Sequence, residues 1–152
     1  MKQTAALLMT LALTTSAWAA DGLPSTDNRV AIPVSAKERE NTLYEMRTLL
    51  HGLFNIHTAL SRNDMKGVAV AARSMSPLIS RIPPSVRDRL PTEFMEMGNA
   101  LKETWETIAR DAEQKQNAPH TQAQLAEVMA YCSGCHDSFQ FKVVSGKSRN
   151  KR

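Results

Sequence analysis

From residue 35 to about 141 the apolar residues return every three or four positions, the period of helices that turn one face inward. Ser35 and Glu38 have the spacing of a capping box, which predicts a first helix from there to about Leu60. Its inward face carries Leu43, Met46, Leu50, Leu53, His57 and Leu60. Gly52 inside it costs about 1 kcal/mol against Ala, and reads equally as a point of close approach by a neighbour or as a tolerated glycine. Asn63-Asp64 breaks and recaps the chain, and Met65, Val68, Ala69, Ala72 and Met75 give a second helix one apolar side before Pro77 stops it. Between Ser76 and Pro91 stand Pro77, Pro83, Pro84 and Pro91, a connector with one short turn at Val86 to Leu90. Pro91 suits the first turn of a third helix with the stripe Phe94, Gly98, Leu101, Trp105, Ile108 and Ala112. Asn117-Ala118-Pro119 ends that helix. Thr121 with Gln124 then caps a fourth, bearing Leu125, Val128, Met129, Cys132, His136 and Phe139. The pattern predicts an all-α fold, an antiparallel up-down-up-down four-helix bundle. Residues 21–34, with Gly22, Pro24 and Pro33 among polar neighbours, read as a leader strand or loop without its own core. No internal repeat, phosphate-binding glycine loop or strand alternation interrupts this reading.

The start of the chain changes the picture. Met1-Lys2, an apolar stretch from Ala5 to Leu13 and the small residues around Ala17-Trp18-Ala19 have the form of a secretory signal, cut after Ala19 or one residue later. The stretch is too short to span a bilayer, and no later one reaches that length. The expected divisions are a signal peptide at 1–19, a leader at 20–34, the bundle at 35–141 and a basic tail at 142–152. The compartment is expected to be a bacterial periplasm. About 130 residues then remain, enough for one core. Hydrophobic residues make up 42% of the chain and aromatics 5%, with eight Met, a profile of helices rather than sheets. The net charge of +4 is a property of the ends. Taking away Lys2 and the five cations of the tail (Lys142, Lys147, Arg149, Lys151 and Arg152) leaves about −2 for the rest. No basic face for nucleic acid is indicated.

The candidate chemistry sits at Cys132-Ser133-Gly134-Cys135-His136, and these are the only two cysteines in the chain. In a Cys-x-x-Cys-His run both thiols add across the vinyl groups of one haem and the adjacent imidazole coordinates iron. Three residues apart on a helix, the two sulfurs reach the same macrocycle edge. A zinc site wants four ligands, and no second Cys pair or closely spaced His pair accompanies this one. A thiol-redox pair belongs with a βαβ pattern that is missing. One covalent haem c is therefore expected, on Cys132 and Cys135, with His136 as proximal iron ligand. An exported protein and a haem attached outside the cytoplasm agree with each other.

A sixth iron ligand has one good candidate. In an up-down-up-down bundle the end of the fourth helix faces the first half of the first helix, near residues 40–47. Met46 sits there on the apolar stripe, and a thioether suits low-spin haem iron; a Met on such a stripe is also an ordinary core residue. His57 lies eleven residues further on, about 16 Å along the axis, and His51 about 140° round from Met46. Leu43, Leu49 and Leu50 are candidate walls of the distal side, and His120 is expected in a loop.

A signal peptide, four helices and the haem motif on the last of them resemble the cytochrome c-prime family. The likeness covers about Ser35 to Phe141, and its specific part is the C-terminal place of the motif. The segment from Met46 to Leu60 is similar to the first helix of the low-spin members, where a Met binds the iron. High-spin members leave the distal side empty and bind nitric oxide or carbon monoxide. The resemblance implies a periplasmic electron carrier with a redox partner protein, or else a gas-binding haem protein. It also brings a homodimer through the first two helices, which the residues here neither support nor refute. One departure is Gln140, where the family often has Arg. No carboxylate pair, Ser/His/Asp set or second metal cluster points to an enzyme. The basic tail offers a docking charge for an acidic partner or surface.

Overall fold

The computed structural model describes residues 27–77 and 79–144. The expected signal peptide, its cleavage point and residues 145–152 of the basic tail lie outside them. The chain is mostly helical, with one small sheet: strand β1 (Val30–Val34), helices α1 (Ala36–Ser61) and α2 (Met65–Met75), a 3-10 turn at Ile79–Arg81, and helix α3 (Pro84–Arg87). Helices α4 (Thr92–Gln114) and α5 (Ala118–Ser138) and strand β2 (Phe139–Val143) complete it.

Local chemistry places the helix ends. Ser35 caps α1 as the sequence predicts: the Glu38 N–H donates to Ser35 Oγ at 3.2 Å and the Ser35 N–H to Glu38 Oε2 at 2.7 Å. Asn63, at φ 53°, turns the chain between α1 and α2, and the Asp64 carboxylate accepts from the Gly67 N–H at 2.8 Å to start α2. Pro91 stands just before α4 rather than in its first turn. The expectation at the last helix is corrected. Its cap is Asn117, whose side chain accepts from the His120 N–H at 2.9 Å, with Pro119 in the first turn. Thr121 lies inside the helix and is buried, and His120 belongs to the first turn of α5 rather than to a loop.

α2 packs closely along both α1 and α4, and α4 along α5, while α1 and α5 contribute side chains to the same core. The main core lies among these helices. It holds Ile56 of α1, Met65, Val68, Ala69, Ala72 and Met75 of α2, Trp105, Ile108 and Ala112 of α4, and Leu125 and Val128 of α5. Gly52 explains itself here. A β-carbon at that position would overlap the Met75 side chain, so the glycine lets α2 approach α1. Arg73 pairs with Glu113, and Ser76 Oγ donates to Glu106 at 2.7 Å, on the outer edge of the α2–α4 contact.

The leader and the residues after α5 differ from expectation. β1 and β2 pair in parallel, Val30 with Phe139 through Val34 with Val143. Ile32, Val34 and Phe139 form a second small core, covered by Leu90, Phe94, Met97 and Phe141. Phe94 meets Phe139 and Phe141 edge to face, with ring centres 5.4 and 5.8 Å apart. Lys142 and Val143, placed in the basic tail by the sequence, belong to β2. Parallel pairing sets the end of α5 beside the start of β1, so one strand length, about 13 Å, separates it from the start of α1. Arg89 fastens this corner: Nη1 donates to Pro33 O at 2.6 Å and Nη2 to Glu38 Oε1 at 2.6 Å.

Candidate haem-binding site

α5 ends on the motif. Phe139 leaves helical geometry at φ −129° and ψ 151°, and its N–H closes the last turn on Cys135 O. Cys132 and Cys135 therefore stand one turn apart on the closing turns of a helix, and both are free thiols. Each is half-buried, while His136 is exposed. Cys132 packs against the main core. Cys135 Sγ lies 3.5 Å from Met97 Sδ of α4, and the same Met97 reaches within 3.8 Å of where a β-carbon on Gly134 would stand.

Burial pushes both thiols above their ordinary pKa, and Cys132 adds to the rise at Cys135. A Cys-x-x-Cys redox pair works the other way, with a thiol depressed by a helix N-terminus or a neighbouring cation. This pair sits at the C-terminal end of its helix, where the dipole disfavours a thiolate. Among the described residues no three His, Cys, Asp or Glu side chains converge to hold a bare metal ion. The donor set fits a haem held by two thioethers and one imidazole: two neutral thiols on one helix face, followed at once by an accessible imidazole.

The backbone of the motif is tied down from far along the sequence. Arg29 Nη1 donates to His136 O at 3.3 Å, and Gln140 Nε2 donates to Arg29 O at 3.2 Å. Gln140 thus serves the β1–β2 junction, and the guanidinium near this turn comes from Arg29, ahead of the first helix. Arg29 is held by Asp27 through Nε at 2.9 Å and Nη2 at 2.7 Å. That pairing lowers the Asp27 carboxyl to about 2 and raises the guanidinium.

Met46 stands on α1 at 38% exposure and joins neither core. No described contact links it to Cys132, Cys135 or His136. Its neighbours one turn away, Leu43 at 39% and Leu50 at 67%, are open as well, and so is Phe54 at 66%. Of the expected distal-wall residues, Leu49 packs against the main core instead, with Leu53 and Leu60. His51 and His57 are exposed, while His120 Nε2 lies 2.8 Å from Asp111 Oδ2. On α5, Met129 is half exposed one turn before Cys132. Sequence reasoning missed Met97 and Arg29. The period-two runs Val30, Ile32, Val34 and Phe139, Phe141, Val143 signal two strands, but their pairing, which brings Arg29 to the motif, is long-range, and Met97 on α4 carries no such signal.

Comparison with protein-family models, with curated proteins and with solved structures finds no match to this chain.

Proposed function

We propose that this chain is a periplasmic monohaem c-type cytochrome that carries electrons, built as an antiparallel up-down-up-down bundle of α1, α2, α4 and α5. Cys132 and Cys135 hold the haem c by thioether bonds, and His136 is the proximal iron ligand. The observation that carries this reading is the closing turn of α5, with two half-buried neutral thiols one turn apart and an exposed imidazole directly after them. The bound haem supplies a one-electron ferric/ferrous couple. Cys132 on the main core and Cys135 beside Met97 would hold the macrocycle, and the exposed His136 would be free to coordinate its iron. Leu43, Met46, Leu50 and Phe54 form the open apolar face that a flat hydrophobic group would cover. Met46 is the candidate sixth ligand on that face, and the basic tail is a docking charge for an acidic redox partner. The sequence has no residues that call for substrate chemistry of the protein's own.

Met46 joins neither core and lies between the open Leu43 and Leu50 along α1, which favours one second reading. If its thioether does not reach the iron, Leu43 and Leu50 wall a five-coordinate site for nitric oxide or carbon monoxide.

Optical spectra of the exported protein, oxidised and reduced, with and without carbon monoxide, test both readings. A sharp, split reduced spectrum indifferent to carbon monoxide, and lost in Met46→Ala, is the expected result. A broad band that shifts with carbon monoxide transfers the protein to the gas-binding class. No haem band, from a host that attaches c-type haem, contradicts both.

A further inference from the structure

The last turn of α5 is held by a residue 107 positions away. Carbonyls in the last turn of a helix have no partner within it and accept from cations where these are available. Here the carbonyl belongs to the motif histidine itself, and the cation is Arg29. The guanidinium is a planar fork, and its donors are divided: Nε and Nη2 face the Asp27 carboxylate, leaving Nη1 for His136 O. The Arg29 backbone is fixed in turn by Gln140 and by the pairing of Val30 with Phe139. Three independent contacts therefore converge on one residue, which brings a single positive charge to the residue read as the iron ligand. Asp27 sets the opposite charge immediately behind it.

We propose that Arg29 is a positioning residue for His136, clasping the last turn of α5, and that the Arg29–Asp27 pair tunes the electron affinity of a haem bound there. The second half rests on the haem reading; the clasp does not. A cation near the iron stabilises the ferrous state relative to the ferric state, and an anion does the reverse. Removing Arg29 and removing Asp27 therefore act in opposite directions, a pattern that simple loosening of the turn cannot produce.

The test uses the full-length exported chain carrying Arg29→Gln, Arg29→Lys or Asp27→Asn. In the haem-loaded protein, Arg29→Gln lowers the midpoint potential by about threefold in the ferric/ferrous ratio, roughly 30 mV for a one-electron couple. Asp27→Asn raises it, and Arg29→Lys stays near the parent. In the same chains without haem, amide exchange at residues 136–139 and alkylation of Cys135 speed up several-fold for Arg29→Gln and remain near parent for Arg29→Lys. Potentials that move in the same direction for Arg29→Gln and Asp27→Asn, or do not move, overturn the tuning; unchanged exchange and alkylation overturn the clasp. If the parent chain takes up no haem, the haem reading and the tuning fall together, and the haem-free measurements alone decide the clasp.

Discussion

α1 and α2 show the same helical spacing of apolar residues in the sequence, yet the molecule treats them differently. Every predicted inward residue of α2 (Met65, Val68, Ala69, Ala72 and Met75) is buried. α1 turns a different face inward from the one its spacing predicts: Gly52 and Ile56 are buried, while the predicted Leu43, Met46, Leu50 and His57 are open, as is Phe54. α2 is packed closely between α1 and α4, whereas the close helix neighbour of α1 is α2, on one side. A helix between two neighbours spends its whole stripe on the core, whereas α1 keeps half of its apolar face unspent. On a small protein such an open face is where another group binds.

The contrast is sharpest at the buried end of α1. Ile56→Ala removes a fully buried side chain and lowers stability by about 2–5 kcal/mol, measured by urea unfolding of the haem-free chain. Gly52→Ala drives a methyl into Met75 and costs about 1–3 kcal/mol, despite the better helix propensity of Ala. Gly52→Ala combined with Met75→Ala should be less costly than the two single effects added together, since the clash is then gone.

The α4–α5 junction offers a test in pH. Asp111 is buried, and its Oδ2 meets His120, Lys115 at 2.9 Å and Gln124 at 2.9 Å. The hydrogen bond with His120, then that with Lys115, lowers the Asp111 carboxyl to about 2. Because the folded value lies below that of the unfolded chain, its stabilisation is present above about pH 4 and disappears as the pH falls through about 2. Asp111→Asn costs about 1–2 kcal/mol at neutral pH and flattens the loss of stability between pH 4 and 2, followed by circular dichroism. Ser35→Ala, which removes half of the α1 capping box, costs about 1 kcal/mol.

The smallest effect is the most informative for α1. Leu50→Ser and Phe54→Ser change the stability of the haem-free chain by no more than about 0.5 kcal/mol, because both side chains are already open. In haem-loaded protein the same substitutions cost several times more if the macrocycle covers that face. Equal costs in both forms would place the haem elsewhere.

Much of this molecule was legible in the sequence because period and caps are local. The Ser35–Glu38 box, the Asp64 cap and the α4 stripe all follow from residues a few positions apart, whereas the reason for Gly52 is Met75, 23 positions on. The last helix was misread at its start, since Thr121 and Gln124 imitate a cap while Asn117 takes the position and Gln124 turns to Asp111. The sheet was not anticipated because each strand has five residues and its partner lies more than a hundred positions away. That pairing brings Arg29 to the motif, while the packing of α4 on α5 brings Met97. The thiols and imidazole announce themselves by spacing; what surrounds them depends on long-range packing that no local pattern encodes.

Covalent attachment of haem to Cys132 and Cys135 is checked by intact mass. The protein is exported from a host that attaches c-type haem, unfolded in denaturant and weighed beside a Cys132→Ser, Cys135→Ser double variant. The expected result is a mature chain heavier by one haem, with the increment absent from the double variant. A chain at its bare polypeptide mass, from cells that load another c-type cytochrome, would contradict it.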